Sequence, residues 1–315
     1  MVTTMGTGGR AEFYVTPYDI QTLVMTVREA GKYGRYKVIG NASNLIFDDR
    51  GFCGTVISTV KIRASGVLRQ PRNAEESRIF AKTGARVLMY ATCGTWLPSL
   101  SLAAKNLGYT GFEGLCSIPA TVGGALYTNA GAFGCEISDN LAALSIYLPE
   151  IEKTGLIFRD EMTFSYRKSS VGKSGEIVLC AYFFVRDGNR SKILEKTEES
   201  KKKRAATQPI GVRSAGSYFK RPDPGEGKAA YRGKSAGELI ELCGLKGCAV
   251  RGAQVSEKHG NFIINASGKS RSSDIITLAR KVKKKVYEKC GVRLVEEVEY
   301  VPYGGAGKGN RKAKE

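Results

Sequence analysis

A chain of 315 residues, 42% hydrophobic and 25% charged, carries enough apolar side chains for more than one core, which excludes a wholly disordered polymer. No run approaches the ~20 consecutive apolar residues of a membrane helix, and Met1-Val2-Thr3-Thr4-Met5-Gly6 lacks the basic-then-apolar layout of a secretory signal, so a cytoplasmic protein is expected. A formal net charge of +19 fits a nucleic-acid ligand, a solvated basic surface or several phosphate-bearing ligands, and does not choose among them.

In chain order, residues 19–33 place Ile20, Leu23, Val24 and Val27 at helical spacing, with Asp19 as N-cap. Residues 37–39 and 55–57 read as short strands bounded by glycine and Asn/Asp turn signals. Residues 98–107 read as a second helix, and the continuous apolar run 177–185 as a buried strand. From 186 to 204 nearly every residue is polar or basic, Ile193 and Leu194 excepted, which suggests an exposed helix between domains, stopped ahead of Pro209. A smaller α+β segment follows: helix 236–243, strand 261–265, helix 273–289 capped by Ser272 or Ser273, and strand 292–300. The Gly/Lys-rich tail is expected to be disordered.

The eight cysteines are dispersed without a C-x-x-C pair, and His259 is the only histidine, so free thiols and no metal are expected. Three G-K-S triplets have Arg167, Lys228 and Ile263 where a phosphate-binding P-loop needs glycine. No G-x-G-x-x-G follows a predicted strand. Two clusters of small residues remain. Residues 111–139 (GFEGLCSIPATVGGALYTNAGAFGCEISD) and Gly40-Asn41-Ala42-Ser43-Asn44-Leu45 let backbone N–H groups approach a ligand; a buried turn cluster would have a similar composition.

These segments, with Tyr166-Arg167-Lys168-Ser169, residues 216–222 (GSYFKRP), 236–265 and 294–298, resemble the UDP-N-acetylenolpyruvoylglucosamine reductase (MurB) family. They stand in the family's order over most of residues 3–300, and several in register are far more specific than any one. The resemblance implies an α+β fold. A two-subdomain FAD-binding region of vanillyl-alcohol-oxidase (PCMH) type would span 1–185, divided roughly into 1–65 and 66–185. A polar connection (186–209), a smaller α+β substrate-binding domain (210–301) and a basic tail (302–315) would follow.

It also implies NADPH-driven, FAD-dependent reduction of UDP-N-acetylglucosamine enolpyruvate to UDP-N-acetylmuramate in peptidoglycan precursor synthesis. The protein would be a monomer with no membrane or nucleic-acid partner. By family position Ser217 is the proton donor, while Arg167 and Glu297 hold the substrate carboxylate and the developing charge. Glu297 serves only if protonated or bonded to a cation, since a bare carboxylate repels an enolate. A one-residue slip would exchange it with Glu296. FAD would be held by Gly40, Asn41, Ala42, Ser43, Asn44, Leu45, Ser117, Ile118, Pro119, Thr121, Gly123, Gly124, Asn129, Gly131 and Ala132. The substrate would meet Tyr166, Lys220, Arg221, Lys246 and His259, the last two toward its uridine diphosphate end. No histidine precedes His259, so FAD is expected to be noncovalent.

The chain departs from the family at several positions. Asn41 and Ala42 stand within a usual run of three glycines; Ser117, Ala120 and Arg251 replace further glycines; Thr207 and Arg221 stand where Lys and Asn are frequent. Two alternatives remain: another FAD oxidoreductase of this fold with a different anionic substrate, and, more remotely, a basic nucleic-acid-binding protein. The basic runs lack the interleaved aromatics the latter would favour.

Overall fold

The apolar run near 180 forms the strand Ile177–Phe184, at the centre of a five-stranded antiparallel sheet. Leu141–Leu148 and then Lys153–Phe158 lie on one side of it, Leu88–Thr92 and then Ser65–Leu68 on the other. The computed structural model describes residues 3–304. Among these, contacts divide the chain into a larger unit, 13–41 with 54–203, and a smaller one, 3–12 with 42–53 and 204–304. This grouping differs from a linear cut near 185, because residues 3–12 and 42–53 join the C-terminal segment.

In the larger unit, helix α1 (Ile20–Tyr33) begins at Asp19, whose carboxylate accepts from the Thr22 N–H at 2.7 Å. Its apolar stripe buries Leu23, Val27 and Ala30. The strands near 38 and 56 are Tyr36–Ile39 and Phe52–Ser58, paired in parallel. Helix α2 (Ala74–Thr83) starts at the cap Asn73 and buries Ile79. Helix α3 (Leu97–Leu107) ends at Gly108, where φ is 82°. The short helix α4 (Val122–Thr128) packs Val122, Ala125 and Leu126 into the core. Helix α5 (Arg190–Thr207) is the expected polar helix; it buries only Ile193, Thr197 and Ser200 and stops before Gln208-Pro209.

The smaller unit packs helix α6 (Ala236–Leu242) and helix α7 (Ser272–Cys290) against the antiparallel strands Ala249–Val250, Ala253–Val255 and Ile263–Asn265. A parallel pair, Leu45–Phe47 with Glu299–Val301, belongs to the same unit. Val282, Val286 and Cys290 on α7 meet Leu239 and Ile240 on α6 in one core.

Two expectations need correction. The strand foreseen at 292–300 is regular only over Glu299–Val301. Upstream, the backbone bonds instead to residues 218–220: Lys220 N–H donates to Val295 O and Glu297 N–H to Tyr218 O, both at 2.8 Å. Helix α7 has Arg271 at its N-cap position rather than Ser272 or Ser273. The carboxylate of Asp49 accepts the first N–H groups, from Ser272 at 2.6 Å and Ser273 at 3.0 Å. A carboxylate there also complements the positive end of the helix.

No helix among the described residues is long and apolar enough to cross a membrane. Nearly all of the tail foreseen from 302 lies outside the described residues. Two of the family's usual glycine positions adopt left-handed backbone here, Ala42 and Arg251, each with φ 50°.

Removing the Asp49 carboxylate (Asp49→Ala) should destabilise the chain by about 1–2 kcal/mol, as expected for a lost helix cap. Arg251→Gly should move it the other way, by about 1 kcal/mol, by relieving left-handed strain. That gain exceeds what the Arg251–Asp274 contact supplies, since the guanidinium is largely exposed and the buried Asp274 carboxylate keeps the Arg271 N–H. Urea denaturation midpoints check both.

Candidate functional site

In the larger unit, Gly40 and Asn41 lie against the turn at residues 117–121. A Cβ on Gly40 would collide with Thr121 Oγ1, so the chain approaches there only because residue 40 has no side chain. Asn41 Nδ2 donates to Pro119 O at 2.9 Å, fastening the same turn to residues 117–121. Thr121 is buried and caps α4, its hydroxyl accepting from Gly124 N–H at 3.4 Å. Gly123 N–H donates to Cys93 O at 2.8 Å. Both amides are thus engaged within the protein. At Gly123 a Cβ would sit 3.2 Å from Cys93 Cβ and O, so this glycine sets the close seat of α4.

Ser117 Oγ and Asn129 Oδ1 are buried without a hydrogen-bond partner among the described residues, as is Tyr147 Oη elsewhere in this unit. Such atoms are costly unless a bound group satisfies them. Asn129 terminates α4 with φ 48° and is fully buried. The hairpin Gly131–Ala132 with Cys135–Glu136 follows, turning at Phe133 and Gly134, which both have positive φ. Tyr166 and Arg167 form the turn between Phe164–Ser165 and Lys168–Ser169. Arg167 has φ 53°, its guanidinium lies 5.1 Å from the Tyr166 ring centroid, and its Nη2 donates to Gly131 O at 2.7 Å.

In the smaller unit, Ser217 follows Gly216, which has φ 78° and open space where a Cβ would stand. Ser217 is half-buried, and among the described residues its hydroxyl has no protein partner. Tyr218 N–H donates to Asn261 O, and Glu297 N–H donates back to Tyr218 O, both at 2.8 Å, so the serine and the glutamate come from adjoining backbones. Glu296 faces α7, where Lys283 Nζ bonds both its oxygens at 2.8 and 2.9 Å. Asn44 Nδ2 donates to Glu297 O at 3.1 Å, and the next residue, Leu45, enters the parallel pair. The amides of Ala42 and Ser43 have no acceptor among the described residues. Burial and the charge of Glu296 push the Tyr218 phenol up, so it stays neutral.

Lys220 is half-buried and Arg221 exposed. Lys246 and His259 act on each other electrostatically; Lys246 is also paired with Glu241 at 2.7 Å. His259 Nδ1 accepts from Asn261 N–H at 3.1 Å, which leaves the proton of the neutral ring on Nε2. Burial holds its pKa below the ordinary 6.5, with Lys246 adding to the shift. Sequence reasoning missed Asn261, whose side chain bonds both Phe219 N–H and Phe219 O, and Glu136, which accepts from Asn129. No local pattern marks either.

Residues 11–152 match an FAD binding domain, and residues 208–301 match the C-terminal domain of UDP-N-acetylenolpyruvoylglucosamine reductase. The reductase of Carboxydothermus hydrogenoformans is 37% identical over 298 residues, covering 94% of this chain and 90% of that protein. This chain belongs to the UDP-N-acetylenolpyruvoylglucosamine reductase family. The Caldicellulosiruptor bescii reductase is 35% identical, with 95% and 87% covered. The crystal structure of UDP-N-acetylenolpyruvylglucosamine reductase (MurB) from Thermus caldophilus aligns with a TM-score of 0.73 at 32% identity, covering 96% of both chains. The α+β fold with an FAD-binding region is therefore the fold of this reductase family member. In the larger unit, the orphaned Ser117 and Asn129 oxygens and the close approach at Gly40 fit a large polar cofactor.

Because the folded His259 binds its proton less readily than the unfolded one, its stabilising contribution is complete above pH 6.5 and is lost as the pH falls through its lowered folded value. His259→Gln should therefore lose less stability than the unaltered chain between about pH 7.5 and about pH 5. Urea midpoints at the two pH values check this.

Proposed function

We propose that this chain reduces UDP-N-acetylglucosamine enolpyruvate to UDP-N-acetylmuramate with NADPH, in the cytoplasm and as a monomer, supplying peptidoglycan precursor synthesis. FAD, bound noncovalently, would supply the redox chemistry that passes hydride from NADPH to the alkene. The observation that supports the residue assignment is the Glu297 N–H to Tyr218 O bond, which sets the backbone of Glu297 against the residue that follows Ser217.

Hydride arrival at the β-carbon leaves negative charge delocalised from the α-carbon into the carboxylate. Ser217 then donates its hydroxyl proton to the α-carbon. A serine is a weak acid in water; the Lys220 ammonium, three residues on and without an ion-pair partner among the described residues, lowers the cost of the alkoxide. Arg167 holds the substrate carboxylate, with Tyr166 stacked against it. Glu297 contributes in its protonated or cation-bonded form. Lys246 and His259 receive the uridine diphosphate end, and Arg221 lines the substrate approach. Gly40 to Leu45 and the loops spanning Ser117 to Ala132 hold FAD.

Purified protein should be yellow, and its NADPH oxidation should depend on the enolpyruvyl substrate. Ser217→Ala should slow the oxidative half-reaction ~10²–10⁴-fold in stopped-flow absorbance while FAD reduction by NADPH proceeds at its ordinary rate. Equal slowing of both halves would remove Ser217 from the proton-donor role. Colourless protein that cannot be reconstituted with FAD would overturn the reading as a whole.

A further inference from the structure

We infer that Asn129 and Glu136 are positioning residues that hold the Arg167 guanidinium ready for the substrate. The inference rests on the reading that Arg167 binds the carboxylate. Arg167 is a long side chain on a two-residue turn, a place where a guanidinium would ordinarily sample many rotamers. Here it belongs to a closed circuit of hydrogen bonds. Its Nη2 donates to Gly131 O at 2.7 Å. Gly131 stands opposite Glu136 in the register of the hairpin. Glu136 Oε2 accepts from Asn129 Nδ2 at 2.7 Å, and the same nitrogen donates to Ser165 O at 3.1 Å. Ser165 opens the turn that carries Arg167, which closes the circuit.

Both hydrogens of Asn129 Nδ2 are therefore spent inside the protein, leaving Oδ1 as its one side-chain atom available to a bound group. The left-handed backbone at Asn129, φ 48°, turns the chain out of α4 and directly into the hairpin. A Cβ on Gly131 would stand 2.6 Å from Cys135 O, so the acceptor for Arg167 comes from a backbone position that tolerates no side chain. Breaking the circuit at Asn129 or Glu136 leaves Arg167 on its turn but frees the two strands that aim it.

Asn129→Gly tests this, since glycine keeps the left-handed backbone while deleting both side-chain bonds. Because Oδ1 is lost as well, the two half-reactions are compared in FAD-saturated protein, and Glu136→Leu, which leaves Asn129 in place, should retain stoichiometric FAD. Relative to FAD reduction by NADPH, the oxidative half-reaction of Asn129→Gly should slow ~10- to 100-fold, as expected for a misplaced binding group. Glu136→Leu should behave the same way, whereas Glu136→Gln, which still offers Asn129 an acceptor, should stay within about threefold of the unaltered chain. In an Arg167→Ala background, Asn129→Gly should add little, because both changes act on one interaction. Loss of FAD in Glu136→Leu, an undiminished oxidative half-reaction in Asn129→Gly, or an additive loss in the double variant would overturn the inference. A normal oxidative half-reaction in Arg167→Ala would instead strike down the role given to Arg167, and this inference with it. Impairment in Arg167→Ala but not in Asn129→Gly would overturn the inference alone.

Discussion

The smaller unit depends on how residues 218–220 are held from two sides. On one side Asn261 bonds Tyr218 N–H through its carbonyl, and its side-chain amide bonds both Phe219 N–H and Phe219 O. On the other, Val295 and Glu297 take up Lys220 N–H and Tyr218 O. Tyr218 and Phe219 are buried, so backbone groups left unpaired here would be costly. An asparagine that copies the pairing of a strand lets a short irregular segment lie in the core and still place Ser217 at its accessible edge. Beside it, Glu296 turns to α7, where the Lys283 ammonium bonds both its oxygens.

The larger unit uses closeness rather than pairing. Gly40 lies against Thr121 and Gly123 against Cys93, with no room for a side chain at the first and little at the second. Glycine-rich stretches are commonly read as rows of free N–H donors, yet the amides of Gly123 and Gly124 are engaged within the protein. What stands unengaged is different: the Ser117 and Asn129 oxygens, both buried without partners among the described residues. Small residues there matter for the backbone approaches they permit.

Elements specified by neighbours in sequence were legible. Asp19 caps the helix that begins beside it, and the apolar run ending at Phe184 is the central strand. The cap of α7 was not legible, because Asp49 lies more than two hundred residues from the amides it accepts. The strand foreseen at 292–300 shortened for a related reason: its partner, the segment at 218–220, carries no strand pattern of its own. Leu141–Leu148 is as apolar as the central strand, but nothing local says which way it pairs. The resemblance named the residues of the candidate site, and the coordinates added which of them share a backbone contact. Gly40 needed Thr121, and Glu297 needed Tyr218, to become interpretable.

The smaller unit is assembled from 3–12, 42–53 and 204–304, and its parallel pair joins Leu45–Phe47 to Glu299–Val301. On the ribosome, the earliest of these segments emerge long before their partners exist. They must wait, with Met5 and Ile46 uncovered, while the five-stranded sheet of the other unit is completed. Such distant pairing is entropically slow to form. Exposure during synthesis, rather than weakness of the finished core, is therefore where this fold is open to aggregation and to chaperone capture.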